Sequence, residues 1–358
     1  MLKLCLKSYA KSAILSLLSL FILQDCLAQT PALFQSDEVL ELTLSCDMKA
    51  VQNDRGQESQ YHEAKVIYKE GGQSIDIPVR IKTRGGFRKI RSNCKYPPLW
   101  LNFAKATTPK TSIFRGQDKT KMVTPCSGDE YVINEYLAYK LYNLVTPKSL
   151  KARLVKVVFH DAVKDKSSDA NFAMILEEEK QMAKRNGAVT LDTKMLDPRS
   201  TEKEDFLKMA VFQYLIANTD WSVQYKQNIK LIAKDTTKKA STVAYDFDHA
   251  GIVRAPYAKP AAELRMSSTL QRRYRGYCIK DMSELASTFD FFNSLKDDIY
   301  AVYTENPLLK EKYVKRTIKF LDDFFEIIND QRKARLAFTY PCDPSGTGNI
   351  VIKGLKEN

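Results

Sequence analysis

The sequence is poor in the residues that usually hold zinc. It has three histidines and seven cysteines in 358 residues, and no Cys-x-x-C motif. Zinc sites need Cys and His at close spacing, so we do not expect one here. Glycine and proline number 13 each, which excludes a collagen-like or wholly disordered chain. Beyond the first segment no apolar run is long enough to cross a bilayer, so we expect no transmembrane span in the mature chain.

Acidic residues are outnumbered by basic ones, 43 against 56, which gives a net charge of +13. Such a surplus favours phosphates, nucleic acid or anionic surfaces as partners without choosing among them. The chain has no recognisable nucleic-acid-binding motif, so we expect no nucleic-acid partner.

The N-terminal segment has the pattern of an export signal. Three lysines precede the uncharged apolar run 13–23, and small residues at Cys26 and Ala28 suit a cleavage site. We predict a signal peptide over 1–28, cleaved after Ala28, and an exported protein that is periplasmic or secreted. A lipid anchor on Cys26 is the alternative, but Asp25 occupies a position where a small residue is usual.

Five cysteines remain after cleavage, and an oxidising compartment favours disulfides among them. An odd number leaves at least one thiol free or paired elsewhere. Cys94 and Cys126 lie at the ends of adjacent predicted elements, so we predict that they pair.

Hydrophobic periodicity divides the chain into a strand-rich part and a helical part. Alternation predicts strands at 40–44, 64–68 and 75–81, and Pro78 suggests that the last of these pairs poorly or lies at an edge. Further strands are predicted at 99–103, 154–159, 172–176, 229–232 and 242–245, and helices from Ser127, over Phe206–Ala217 and from Asn306. We place a strand-rich lobe at 29–180, a helical lobe at 181–344 and a flexible tail at 345–358.

Three polar residues follow the buried helix and the last short strand. Asp220 and Asn228 come after the helix, and Asp246 opens Asp-Phe-Asp after the strand. Oxygen ligands at such turns suit Mg²⁺ or Mn²⁺, which also bind phosphate oxygens. The plain alternative is that these residues form turns, since Asp and Asn do so constantly.

The order of the predicted elements is that of a protein-kinase-like fold. Such a fold has a catalytic loop with an Asp and an Asn, and a second Asp that chelates the metal of the nucleotide. We therefore predict an α+β, two-lobed, atypical kinase-like fold with the nucleotide between the lobes.

At these residues the sequence resembles the spore-coat CotH kinase-like family, in particular an exported bacterial branch of it. The resembling segments lie within roughly residues 35–280, and they are Arg84–Arg88, Pro97–Leu99, Lys121–Cys126, Asn134–Leu137, Asn218–Ser222, Tyr245–Asp248 and Tyr274–Cys278. The resemblance implies a kinase that uses ATP and a divalent metal to phosphorylate proteins. By that resemblance Asp220 is the catalytic Asp, and Asn228 and Asp246 hold the metal.

The cofactor-binding residues are less determined by the sequence. Arg84 belongs to a basic cluster around Gly85-Gly86 that could cradle phosphate or be a solvated loop. The nucleotide-clamping lysine is open between several candidates, of which Lys95 and Lys121 are two, and Glu135 lies in the early helix where kinases keep its ion-pair partner. Asn228 follows Asp220 at a longer spacing than in ordinary kinases.

The leading functional hypothesis is therefore phosphoryl transfer from ATP, with Mg or Mn, to a protein in the cell envelope or outside the cell. A non-catalytic envelope binding module with the same fold is the main alternative, because the lysine is unplaced. A metal-dependent hydrolase is less favoured, since only His249 presents itself as a base.

Overall fold

The computed structural model describes residues 30–344. The predicted signal peptide, its cleavage after Ala28 and the predicted tail lie outside this range. Within it, no helix is long and apolar enough to cross a membrane. The described chain is a mixed fold of strands and helices, as the periodicity predicts.

Residues 30–344 form eleven strands. They are β1 (Leu40–Cys46), β2 (His62–Glu70), β3 (Gln73–Thr83), β4 (Leu99–Phe103), β5 (Lys119–Val123), β6 (Ala152–Asp161), β7 (Lys166–Ser167), β8 (Asn171–Leu176), β9 (Val189–Leu191), β10 (Ile229–Ala233) and β11 (Ser241–Ala244). Eight helices accompany them: α1 (Met48–Asn53), α2 (Asp129–Val145), α3 (Glu179–Arg185), α4 (Lys203–Leu215), α5 (Ser283–Ser294), α6 (Lys296–Thr304), α7 (Glu311–Asn329) and α8 (Gln331–Phe338).

The larger sheet closes on itself. Its order is β1-β2-β3-β4-β5-β8-β6, with β7 paired to β6, and β1 also pairs in parallel with β6. Closure leaves no long free edge, so the alternating apolar side chains of these strands share one interior. A smaller sheet has the order β11-β10-β9.

The described chain has two hydrophobic cores. The first fills the closed sheet with residues such as Leu44, Val66 and Leu101. The second packs α2, α4 and the C-terminal helices together, and it includes outward-facing Met174 and Leu176 of β8. Helix α2 therefore joins the outside of the closed sheet to the helical part of the chain.

The structure corrects three local expectations. Strand β4 pairs with β3 only over Val79–Thr83, so β3 is interior there, and Pro78 lies just before this pairing begins. Helix α2 begins at Asp129 and not at Ser127, and Gly128 before it provides no side-chain cap. Helix α7 begins at Glu311, because the chain after Asn306 first makes a turn.

Two disulfides form within residues 30–344. Cys94 and Cys126 are bonded with their Cα atoms 4.9 Å apart, which confirms the predicted pair. Cys278 and Cys342 form the second bridge, and buried Cys46 keeps a free thiol. The first bridge ties the end of the loop before β4 to the start of α2.

Replacing Cys94 and Cys126 together by alanine should lower the free energy of unfolding by about 3–4 kcal/mol, because the bridge closes a loop of 32 residues in the unfolded chain. Denaturant unfolding measures the loss. Cys46→Ala is the matched control, since it removes a buried sulfur but no cross-link. Equal losses in the two variants would contradict the cross-link as the cause.

Candidate functional site

A cleft of about 790 Å³ brings most of the predicted site residues together. One wall is the loop after β3, which begins at Arg84 and carries Gly85-Gly86. The facing wall holds Asp220, Asn228 and Asp246. The predicted metal and catalytic residues thus share one cleft with the basic glycine loop.

The loop that presents Asp220 is fixed by its own polar groups. The backbone N–H of Asp220 donates to Asn218 Oδ1 at 3.0 Å, and Asn218 Nδ2 donates to Gln213 Oε1 of α4 at 3.0 Å. Trp221 Nε1 donates to the carbonyl of Asn218 at 3.2 Å. These bonds anchor the loop to the end of the buried helix.

A small hairpin explains the long spacing between Asp220 and Asn228. Ser222 and Gln227 pair through two backbone hydrogen bonds of 2.9 Å, which folds the intervening residues away. Asn228 thereby returns to Asp220, and its Nδ2 donates to Asp220 Oδ2 at 2.9 Å and to the Asp220 carbonyl at 2.7 Å. Gln227 Nε2 donates to Asp220 Oδ1.

Asp246 is positioned by aromatic side chains from two helices. Its backbone N–H donates to Tyr139 Oη of α2 at 2.9 Å. The next residue, Phe247, is fully buried, with ring centroids 4.7 Å from Tyr139 and 5.5 Å from Phe212 of α4. Asp246 itself has a left-handed backbone with φ of 64°. A non-glycine residue in this region persists only where its surroundings hold it.

The carboxylates in the cleft carry shifted pKa values. Burial raises the pKa of Asp246, and the neighbouring charge of Asp248 adds to this, against the opposing effect of Arg88, Arg84 and Lys121. The pKa of Asp220 is also raised by burial. Within residues 30–344 the Asp246 carboxylate accepts no hydrogen bond and forms no ion pair, so these cations act on it only through space.

Arg88 links the glycine loop to both sides of the cleft. Its Nη2 lies 2.7 Å from Glu135 Oε2 and 2.9 Å from Asp248 Oδ2, and its Nε donates to Asp248 Oδ2 at 3.0 Å. The guanidinium also lies over the Tyr257 ring at 5.6 Å. One cation therefore serves two buried carboxylates.

The pKa values of Glu135 and Asp248 shift in opposite directions, although both carboxylates contact Arg88. Burial raises the pKa of Glu135, which is 1% exposed, despite the nearby Arg88. Burial also acts on Asp248, but Arg88 and His249 outweigh it and the pKa of Asp248 is lowered. The expected lysine partner of Glu135 is thus replaced in this structure by Arg88, and Glu135 is held away from direct ligand contact.

The two lysine candidates differ in their surroundings, although neither is among the residues that line the cleft. Lys95 is exposed, and its Nζ lies 5.1 Å from the Tyr96 ring centroid. Lys121 lies on β5, directly before α2, with Nζ 4.8 Å from the Tyr245 ring and 5.4 Å from the Trp100 ring. Burial lowers the pKa of Lys121 to about 7, and the charge of Arg84 adds to this.

Sequence reasoning did not select Gln227, Tyr139 or Tyr257. Gln227 follows Asp220 at no recognisable spacing. Tyr139 accepts a hydrogen bond from the backbone of Asp246, and the ring of Tyr257 lies against the guanidinium of Arg88. Arg88 was noticed only as one member of a basic cluster. Periodicity cannot show which member of such a cluster turns inward.

The oxygen donors in the cleft fit a metal that keeps several waters. Within residues 30–344 no group of three or more His, Cys, Asp and Glu side chains could by itself hold a metal ion. Mg²⁺ does not need such a cage, because it binds through one or two carboxylates together with waters and phosphates. The Asp246 carboxylate and the side-chain oxygen of Asn228 are oxygen donors of this kind, and both residues line the cleft.

Comparisons with known proteins give little further constraint. No protein-family model matches the chain, and no curated protein matches it. Among solved structures it is similar to the proinflammatory kinase CtkA of Helicobacter pylori, at 10% identity and a TM-score of 0.40, over 72% of this chain and 94% of that chain. The resemblance to the CotH kinase-like family stays a prediction from the residues quoted above.

Replacing Arg88 by methionine should lower the free energy of unfolding by about 3–5 kcal/mol, because two buried carboxylates lose their shared cation. Adding Glu135→Gln should restore part of the loss. Denaturant unfolding measures both effects. The matched control is Arg91→Met, which removes an exposed arginine from the same loop. Equal stability of the Arg88 and Arg91 variants would show that the network does not hold the loop.

Proposed function

We propose that this protein transfers a phosphoryl group from ATP, with Mg or Mn, to a protein in the cell envelope or outside the cell. The observation that carries the proposal is the convergence of Asp220, Asn228 and Asp246 on one wall of the cleft, opposite the glycine loop. Phosphoryl transfer needs mainly positioning and charge stabilisation, which these groups can supply.

The arrangement of elements supports a two-lobed kinase-like fold. The closed sheet with α2 corresponds to a strand-rich lobe, and α4 with the later helices to a helical lobe, with 29–180 and 181–344 as the proposed boundaries. Lys121 lies on the strand directly before α2, where kinases keep the nucleotide lysine. The Asp/Asn loop follows a buried helix and precedes the β10–β11 hairpin and Asp-Phe-Asp.

The nucleotide phosphates are proposed to lie between the glycine loop and Lys121. Gly85 has φ of 92° and open space where a Cβ would be, so the backbone there can approach a ligand closely. Arg84 lines the same cleft, and its charge acts on both Lys121 and Asp246. We propose that Arg84, and Lys121 beyond it, pair with phosphate oxygens.

Asp246 and Asn228 are the residues that would hold the metal. A bound divalent cation supplies charge neutralisation at the phosphate oxygens. Asp220 is the proposed positioning group for the acceptor hydroxyl. Its raised pKa brings it closer to the range in which a carboxylate accepts a proton effectively.

One observation favours the alternative of a non-catalytic binding module. Both carboxylate oxygens of Asp220 accept hydrogen bonds from the protein, from Gln227 and Asn228. A catalytic Asp has to accept the acceptor hydroxyl as well, on a lone pair that these two bonds leave free or in place of one of them. The two functions differ in what the Asp220 variant does to turnover.

Asp220→Ala should leave the affinity for Mg-ATP within a few-fold and lower phosphoryl transfer by roughly a hundredfold or more, the scale of a positioned base. Asp246→Asn should instead weaken metal-dependent nucleotide binding strongly, because it removes the charge of a proposed metal ligand. Thermal shift with ATP, with and without Mg or Mn, and phosphate incorporation into protein measure the two effects on one preparation.

Failure of the parent protein to transfer phosphate under either metal, together with metal-dependent ATP binding, would support the binding module. If Asp246→Asn binds Mg-ATP as the parent does, Asp246 is not the metal ligand.

Lys121→Met should weaken ATP binding by about tenfold or more, since a charge-assisted contact to phosphate is lost. Lys119→Met is the matched control. Lys119 lies two residues earlier on β5 and over the same Trp100 ring at 4.5 Å, but not over Tyr245. Calorimetric titration measures both. Equal affinities of the two variants would exclude Lys121 as the nucleotide lysine.

A further inference from the structure

A second cavity, of about 430 Å³, lies apart from the residues of the cleft described above. It is formed where the start of α2, the segment around Arg254 and the start of α7 meet. Four of its lining side chains are basic (Arg254, Lys310, Lys312 and Arg316), and one, Glu130, is acidic. The lining therefore carries a clear positive surplus.

The basic side chains of this cavity are not used elsewhere in the described structure. Within residues 30–344 none of the four forms an ion pair or a side-chain hydrogen bond. Arg254 and Arg316 are close enough that the charge of Arg316 lowers the pKa of Arg254, together with burial, which acts more strongly. Repelling cations without partners are stabilised by a bound anion.

Arg254 differs from an ordinary surface arginine. It is half-buried, and its Nε is enclosed without a hydrogen-bond partner among the described residues. Its backbone is left-handed, with φ of 59°. Buried unsatisfied donors and such backbone conformations are uncommon, and here the two coincide in a residue that lines the cavity.

The segment that carries Arg254 is held firmly on both sides. Asn134 Nδ2 of α2 donates to the carbonyl of Val253 at 3.0 Å, and Tyr313 Oη of α7 donates to the carbonyl of Ile252 at 2.8 Å. Asn134 directly precedes Glu135, the partner of Arg88. An anion in this cavity would thus contact the same helix that carries the buried ion pair of the cleft.

The geometry points to a binding site for a phosphate monoester carried on a peptide side chain. A guanidinium matches phosphate in shape, and a phosphate dianion compensates more of this surplus than a single carboxylate does. The lining also includes the apolar side chains of Ile133, Leu309 and the exposed Leu308, which would contact the carrier of the phosphate. This inference does not depend on the proposed phosphoryl transfer.

The test is calorimetric titration of the full chain with three probes. They are a capped Ala-Ser-Leu tripeptide phosphorylated on serine, the same tripeptide without phosphate, and inorganic phosphate. We expect the phosphorylated tripeptide to bind most tightly and the unphosphorylated one not to bind. Equal binding of inorganic phosphate would keep the phosphate site and assign free phosphate as its ligand.

Two variants locate the binding. Arg254→Asn introduces a residue type that tolerates the left-handed backbone. Arg316→Gln changes an exposed side chain. Each should weaken the phosphorylated tripeptide by about tenfold or more, the usual effect of losing a charged hydrogen bond. Lys315→Gln is the control, because Lys315 is the neighbour of Arg316 but pairs with Glu311 at 2.5 Å.

Asp246→Asn should leave this binding unchanged, which separates it from any phosphate bound in the cleft. The inference is overturned if neither phosphate probe binds at millimolar concentration. It is also overturned if Arg254→Asn and Arg316→Gln both bind the phosphorylated tripeptide as the parent does.

Discussion

The cleft depends on one shared cation. Arg88 comes from the glycine loop of the closed sheet, and its two carboxylate partners come from α2 and from the segment after β11. Breaking a buried pair leaves an uncompensated charge, which costs far more than a surface ion pair contributes. The loop can therefore move away from the acidic wall only by exposing Arg88, Glu135 and Asp248 together. These ion pairs therefore tie the glycine loop to the far side of the cleft.

A second constraint is the aromatic packing of Phe247. Its ring lies between Tyr139 of α2 and Phe212 of α4, so the residue after Asp246 belongs to the core that joins these helices. Asn228 and Asp246 both have left-handed backbones, with φ of 50° and 64°. Asn and Asp adopt this conformation more readily than other non-glycine residues do, so its cost at each position is small. The aromatic contacts of Phe247 hold the neighbouring Asp246 in place.

Much of this arrangement could be predicted from local sequence patterns. Alternation located the strands, and the acidic constellation was recognisable because Asp and Asn follow a buried helix and a short strand. Closure of the sheet was not predictable, because the β1–β6 pairing joins segments more than a hundred residues apart and leaves no local signal. The predicted start of a helix was wrong after Asn306. There Asn and Pro form a turn, and the same residue types also cap helices. The partner of Glu135 could not be chosen either, since a basic cluster offers many equivalent charges until the fold buries one.

Lys121 and Asp246 are two charged residues that take no part in the ion pairs of Arg88. They lie near enough for each charge to affect the pKa of the other, yet no ion pair joins them in the described part of the chain. Burial shifts both towards the neutral form, lowering the pKa of Lys121 to about 7 and raising that of Asp246. A ligand that brings both negative phosphates and a cation would compensate the two charges at once. The metal-bound nucleotide proposed above is a ligand of this kind.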